Sequence, residues 1–331
     1  MRGFFLSKNR ILVIGASGQI GSDLIPRLID RYGNNNVVAG VYNCELPDDL
    51  KNIIPDVSID VTKYDQIEKA IIDNKIDVVY NLASILSTLA EKEFQLAYEV
   101  NFNGTLNVFE ATRNTEVKQL IAVSSIAAFG DRSPKINTPN DTIQNPNTIY
   151  GISKVFTELL GNYYFEKKGL DVRGVRFPGI ISWKVEPTAG TTDYAVEIFY
   201  GAILNKSYTC FLAPDTRLPM MYMPDAISAL ISLSECDSSR LKHRVDYNVA
   251  SMDFTPAELA IEIKRKIPDF EMNYEIDYSR QEIADSWPSS LDDSAARAEW
   301  DWDPKFNLSG MVDDMFENLT AKLIDGPIHL P

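Results

Sequence analysis

Tyr150 and Lys154 stand four residues apart in the run "IYGISK". At i and i+4 of a helix two side chains share one face, one above the other. An ammonium held beside a phenol favours the phenolate, and the ordinary phenol pKa is about 10. Such a pair would accept a proton near neutrality. For an arbitrary Y-x-x-x-K the plain alternative is a surface Tyr and Lys that never meet. A third residue weighs against that alternative. Ser125, in "VSSIAAFG", ends an apolar strand-like run, at the carboxyl edge where doubly wound sheets bind ligands. Serines at strand ends are usually structural, but Ser125, Tyr150 and Lys154 would all face one cleft.

The elements that must position these residues are legible in the first half of the chain. "RILVIG", "NVVAGVY", "VSIDV", "DVVYNLA", "QLIAVSS" and "DVRGVRF" read as strands. Between them lie the helical runs "GQIGSDLIPRLIDRYG" and "KYDQIEKAIIDNK", a long helix at about 91–113, and "IYGISKVFTELLGNYYFEKKG". Alternating strands and helices with short connections predict an α/β, Rossmann-like, doubly wound parallel sheet covered on both faces. Beyond Pro178 the pattern becomes irregular, with loops such as "SWKVEPTAGTTD" and "CFLAPDTRLPMMYMPD". A strand-like "VDYNVA" follows, then a helix capped by Thr255 with Pro256 at its first position. The expected organisation is a nucleotide-binding domain over 1–179, completed by about 222–253. A smaller C-terminal substrate-binding lobe over 180–221 and 254–325 would form the other wall of the cleft.

"VIGASGQIG" places Gly15, Gly18 and Gly21 between a strand and a helix. The first glycine permits a tight turn, the second lets a pyrophosphate approach the backbone, and the helix N-terminus adds amides and a favourable dipole. Gln19 and Ile20 lie in the same turn. The acidic residue that grips an adenosine ribose at the end of the second strand is missing; Val41 stands there. Asn43, Glu45 or the backbone could substitute. No arginine is placed to attract a 2′-phosphate, so NAD is preferred over NADP.

Composition excludes several function classes. A formal charge of −15 argues against nucleic acid or an anionic membrane as partner. No window approaches the roughly 20 apolar residues of a membrane span, and the initial "GFFL" is interrupted before it could serve as a secretory signal. Cys44, Cys210 and Cys236 form no C-x-x-C pair and suit a reducing compartment, the cytoplasm. With only two histidines, His243 and His329, a histidine-based triad or a multi-histidine metal site has little to draw on, and no metal is expected.

Taken together, the glycine turn, Ser125, Tyr150 and Lys154 resemble the extended short-chain dehydrogenase/reductases, a family that includes nucleotide-sugar epimerases and dehydratases. The resemblance spans nearly the whole chain: "YNLAS" matches the family's cofactor-lining turn, "EVNFNGTLNVFEA" the helix after it, and "DDSAARAEWDWDP" the C-terminal helix and turn. It implies that Ser125 holds the reacting oxygen and that Tyr150 transfers the proton. Lys154 would lower the Tyr150 pKa and contact the nicotinamide ribose. Asp60 and Val61 would touch the adenine, Leu82 and Ala83 would line the cofactor, and Asn101 would brace that region. A homodimer is implied, formed through the helices near 91–113 and 150–168.

Four segments, "VRFPGIIS", "GTTDYAVEIF", "DTRLPMMYMPDA" and "IADSWPSSLDDSAARAEW", resemble the threonine-oxidising branch of that family. The resemblance implies L-threonine as substrate, with Ser87, Ser125, Tyr150, Gly190, Thr191 and Trp287 around it and Asp193 steadying the 190 loop. Tyr222 and Trp287 could equally be core aromatics, and Arg176 reads as structural. A loop at 182–192 could close over the substrate. A nucleotide-sugar epimerase or dehydratase, or a non-catalytic dinucleotide-binding regulator, are the alternatives.

Overall fold

A computed structural model describes residues 9–48, 50–187 and 190–325. The "GFFL" patch, two residues of the 182–192 loop and His329 lie outside the described residues. The first half runs β1 (Ile11–Ile14), α1 (Gln19–Tyr32), β2 (Val37–Val41), β3 (Asp56–Ser58), α2 (Tyr64–Asn74) and β4 (Val78–Asn81). It continues through α3 (Ser87–Lys92), α4 (Phe94–Ala97), a π-helical stretch Tyr98–Gly104, α5 (Thr105–Asn114), β5 (Gln119–Ala122), β6 (Ser124–Ser125) and α6 (Ile149–Lys168).

Strands β1, β2, β4 and β5 are buried at every residue, as strands of a sheet covered on both faces must be. They form the centre of a six-stranded parallel sheet that ends with β7 (Asp171–Arg173), in the order β3-β2-β1-β4-β5-β7. Past one-residue breaks at Val123 and Gly174, β6 continues β5 and β8 (Val175–Phe177) continues β7. These two pair with each other in parallel. This is the Rossmann-like, doubly wound α/β sheet that the alternating pattern predicts. One face packs Leu24, Leu28, Val37, Ala39 and Val41; the other packs Leu12, Ile14, Val38, Phe109 and Val172.

The second half is more regular than its sequence suggests. It contains β9 (Gly179–Ile181), α7 (Tyr194–Asn205), β10 (Ser207–Cys210), β11 (Leu218–Tyr222), α8 (Met223–Glu235), β12 (Tyr247–Asn248), β13 (Met252–Phe254) and α9 (Pro256–Lys266). There follow β14 (Glu271–Tyr274), α10 (Tyr278–Ser286), α11 (Ser294–Trp300) and α12 (Leu308–Asp325). The segment "RLPMMYM", expected as loop, is therefore the fully buried strand β11, lying between β9 and β13. Pro219 disguises it. The β9 ladder begins only at Met220, one residue later, so the missing N–H removes nothing from that side. A third core cluster, with Tyr194, Phe199, Tyr222, Phe254 and Phe270, fills this half.

The long helix expected at 91–113 is two helices. Glu93 leaves helical geometry (φ −115°, ψ 60°) between α3 and α4, and the second helix carries the π stretch centred on Asn101. The wider turn leaves Asn101 buried, where it grips the chain at Ile85 from both sides, its Oδ1 accepting from Ile85 N at 2.8 Å and its Nδ2 donating to Ile85 O at 2.9 Å. The Thr255 cap is as read. Thr255 accepts from Glu258 N while Glu258 accepts from Thr255 N, a capping box, worth about 1 kcal/mol. Helix α6 starts on Thr148, which accepts from Gly151 N, and ends on a left-handed Gly169.

His243 joins α11 to the loop before β12, with Nδ1 2.9 Å from Glu299 and Nε2 3.3 Å from Asp141. Burial pulls its pKa down, but Asp141 and Glu299 override this and hold it above the ordinary 6.5. A raised folded-state pKa contributes stability that is complete below 6.5 and disappears as pH rises through the folded value. The carboxyl of Glu299 is held below its ordinary 4.5 despite burial, so its own contribution is present above that value. His243→Gln should therefore lower the Tm most in mildly acidic buffer and least in alkaline buffer. Thermal unfolding of both proteins across that range checks the trend; a deficit that grows with pH would contradict it.

Candidate functional site

The turn between β1 and α1 is built for a close backbone approach. Gly15 has φ +82°, and a Cβ there would lie 3.0 Å from Ala83 N and 3.1 Å from Leu82 C. At Gly21 a Cβ would meet the carbonyl oxygens of Gly15 and Ala16 at 2.5 Å. Gly15 N and Ala16 N both donate to Gly40 O, which fixes the turn on β2. Helix α1 begins at Gly18 with no side-chain cap and no acidic residue in its first turn. Its amides and dipole are thus open to an anion.

Two cavities open beside this turn. One is lined by Gln19, Ile20, Ser87, Ser125 and Tyr150, and across from them by Gly190, Thr191 and Trp287. The other is lined by Ile20, Leu82, Ala83, Asn101, Tyr150 and Lys154. Tyr150 belongs to both. Asn81 Oδ1, in the second cavity, is buried without a hydrogen-bond partner, as is Thr191 Oγ1 in the first. Buried polar atoms left unpaired in a cavity wall are available to a ligand.

The structure thus brings most of the sequence-derived candidates together. Asp60 and Val61 line neither cavity. Asp60 Oδ1 accepts from Thr62 N and Oγ1, and Val61 is buried beside Gly104 with its carbonyl accepting from Asn107. Tyr222 is core: it is fully buried, its hydroxyl donating to Asp314. Trp287 is both core and cavity wall. Gly190 N donates to Asp193 Oδ2 at 3.1 Å. Val41 packs into the sheet-side core with Leu46 and Leu50. Of its possible substitutes, Glu45 pairs with Lys51 at 2.7 Å and Asn43 sits in a left-handed turn. The thiol of Cys44, next along, meets Ser17 of the glycine turn at 2.7 Å.

Tyr150 and Lys154 do meet. The Lys154 ammonium lies 5.1 Å from the Tyr150 ring centroid and donates to Val123 O at 3.1 Å. The expected depression of the phenol pKa is not there in the protein alone. Burial pushes Tyr150 up to about 12, with a hydrogen bond from Ser125 opposing it, and burial pulls Lys154 down to about 8, with Glu158 opposing. Removing both groups from water disfavours both charged forms. Pro178, Gly179, Val185 and Glu186 also line the first cavity; none was singled out from the sequence, although Val185 and Glu186 belong to the 182–192 loop expected over the substrate. Pro178 and Gly179 stand where β8 passes into β9.

Residues 11–250 match the NAD dependent epimerase/dehydratase family. The chain belongs to that family, as an extended short-chain dehydrogenase/reductase. A relative from Staphylococcus haemolyticus, described as an uncharacterized epimerase/dehydratase, is 45% identical over 314 residues, covering 95% of this chain and 98% of the relative. Among solved structures, the L-threonine dehydrogenase of Clostridium difficile superposes with a TM-score of 0.92 at 44% identity, covering 95% of this chain and 98% of that one. A monomeric L-threonine 3-dehydrogenase from a metagenome database gives 0.89 at 44% identity, with 93% and 98% covered. The cofactor of this family member is NAD, and the cradle at Gly15–Gly21 and the unpaired Asn81 fit it.

An alanine at Gly15 would be strained by its positive φ and crowded by Leu82 and Ala83, at a cost of about 1–3 kcal/mol. Relief requires the turn to shift. Calorimetric titration of Gly15→Ala with NAD should show a dissociation constant raised roughly tenfold. An unchanged constant in a protein of unchanged stability would contradict the geometry.

Proposed function

We propose that the chain oxidises L-threonine to 2-amino-3-oxobutanoate with NAD, using Ser125, Tyr150 and Lys154. The observation that carries this proposal is the wall of the first cavity. It joins Ser87, Ser125, Thr191 and Tyr150 to two carboxylates, Glu186 and Asp193, the latter accepting from Gly190 N, and among its described residues there is no Arg or Lys. A nucleotide-sugar substrate would need cationic groups for its diphosphate. A small zwitterion needs hydroxyls and amides for its carboxylate and an acid for its ammonium, which Glu186 supplies. The neighbouring L-threonine dehydrogenase structures support the same choice.

In this mechanism Ser125 holds the substrate hydroxyl against Tyr150, and Tyr150 takes its proton. When bound, the nicotinamide would supply the carbon that accepts the hydride and a positive charge. Lys154 places a cation 5.1 Å from the Tyr150 ring. Because Tyr150 titrates at about 12 and Lys154 at about 8, the pair holds a single proton between those values. The competent form, phenolate with ammonium, is a minority state of that singly protonated pair. Below about 8 its population rises with pH, and above that value it levels off.

The lobes of the enzyme are proposed at 1–179 with 222–253 for cofactor, and at 180–221 with 254–325 for substrate. The third core cluster supports this division, although Trp300 and Trp302 pack on the sheet side. No helix among the described residues is long and apolar enough to cross a membrane, and the three cysteines are free, which suits the cytoplasm. A homodimer is proposed through adjacent helices that expose Leu89, Phe94, Leu106, Ile152, Leu159 and Tyr163.

Purified protein with L-threonine and NAD should reduce the nicotinamide, with activity rising up to about pH 8 and then levelling. Tyr150→Phe should lose roughly two to four orders of magnitude in kcat while binding NAD as before. Turnover of a nucleotide sugar instead, with none of threonine, would overturn the substrate assignment. Leu159→Glu with Phe94→Glu should convert a dimer to monomer in sedimentation equilibrium; a wild-type monomer would refute the dimer.

A further inference from the structure

Glu158 is the one fully buried carboxylate on the helix that carries Tyr150 and Lys154, and the mechanism above does not use it. It sits four residues beyond Lys154, as Lys154 sits four beyond Tyr150, so the three share one face of α6. Both of its oxygens are saturated. Oε1 accepts from the Ser124 hydroxyl and from Arg176 Nε at 2.9 Å. Oε2 accepts from Arg176 Nη2 at 2.8 Å and from Gln144 Nε2 at 2.5 Å. Arg176 is buried in turn, bonded to Asn140 O at 2.7 Å and stacked over Phe129.

Ser124 has neighbours on either side that touch the proposed proton-transfer pair. Val123 O receives the Lys154 ammonium, and the Ser125 hydroxyl opposes the rise of the Tyr150 pKa. By holding Ser124, Glu158 therefore fixes the strand segment that meets both groups. We propose that Glu158 is the positioning residue of the Tyr150–Lys154 pair: one helical turn beyond Lys154, its buried carboxylate clamps residues 123–125 onto α6 and faces the ammonium from below. This inference rests on the roles given to Tyr150 and Lys154 above.

The groups around Lys154 allow that field to act. From α6 it faces Tyr150 and Glu158. From the break between β5 and β6 the neutral Val123 carbonyl accepts from it, and the cavity it lines is otherwise walled by neutral polar groups, Asn81 of β4, Asn101 of the π stretch and Thr105 of α5. Arg176, from β8, stands behind Glu158, and Asp141 and Asp246 act on Arg176 from farther out. Glu158 is the single charge that raises Lys154 against the effect of burial.

Charge removal and clamp removal have different signatures. Glu158→Gln removes the field, so Lys154 loses its proton more readily. The pH at which activity levels off should move down, the plateau should fall by the same factor, and the rate well below that pH should stay as in wild type. Ser124→Ala leaves the charge but loosens the segment: kcat should drop roughly tenfold or more at every pH, with the levelling pH and NAD binding unchanged. Because Glu158→Gln leaves Arg176 buried without its partner and could unfold, Glu158→Gln with Arg176→Met serves as the second variant. It should also shift the levelling pH down.

A folded Glu158→Gln or double variant with an unshifted profile, or one that loses activity equally at every pH, would overturn the electrostatic role. Full activity in Ser124→Ala would overturn the clamp. Carbon NMR of the Lys154 ε-methylene reads the same titration without substrate. Its midpoint should fall in the variant even if wild type proves inactive on threonine, which separates failure of this inference from failure of the proposed reaction.

Discussion

The contact on which the site depends is that of one face of α6 with the three residues 123–125. Tyr150, Lys154 and Glu158 recur at helical spacing on that face, and Ser125, the Val123 carbonyl and Ser124 answer them from the strand. The break between β5 and β6 at Val123 leaves its carbonyl to Lys154 instead of to a sheet ladder. A buried ammonium with one neutral acceptor is costly. The fold tolerates it because Glu158 lies one helical turn away and is itself paired with Arg176. Breaking such a buried pair costs about 3–5 kcal/mol, so the network both supports the helix and limits how far its charges can be changed.

The same low-dielectric setting explains why the protein alone holds the phenol neutral. Burial raises Tyr150 and lowers Lys154, and a cation 5.1 Å from the ring does not reverse that. In the proposed mechanism the competent ionisation state is therefore completed by ligand charge. Such a site protects its phenolate from water until it is needed. The absence of Arg and Lys from the described wall of the first cavity belongs to the same economy: an added cation there would favour anionic substrates over a zwitterion.

Around this centre the π stretch Tyr98–Gly104 does comparable work for the second cavity. Asn101 is buried by that wider turn and secures the chain at Ile85, just beyond the Leu82–Ala83 wall. The wall is pressed against Gly15, where no side chain fits. Val41 departs from the family's acidic ribose contact, and it packs into the core while Cys44 and Ser17 join the turn after β2 to the glycine turn.

Much of this was written in the sequence. The parallel sheet followed from buried β-branched runs alternating with amphipathic helices, because each periodicity admits one local structure. Tyr150 and Lys154 followed from i, i+4 spacing, and Gly15 from a turn that excludes a Cβ. Glu158 obeys the same spacing and was missed because a carboxylate on a helix is ordinarily solvated; only its burial against Ser124 and Arg176 reveals its work. Strand β11 was hidden by Pro219, and the break at Glu93 has no breaker residue to announce it. Pocket walls such as Pro178, Glu186 and Trp287 come from segments far apart in the chain. Local chemistry, then, determined the elements and the proton-transfer pair. Tertiary structure decided which polar groups lose water, and through that loss, which charges the site can hold.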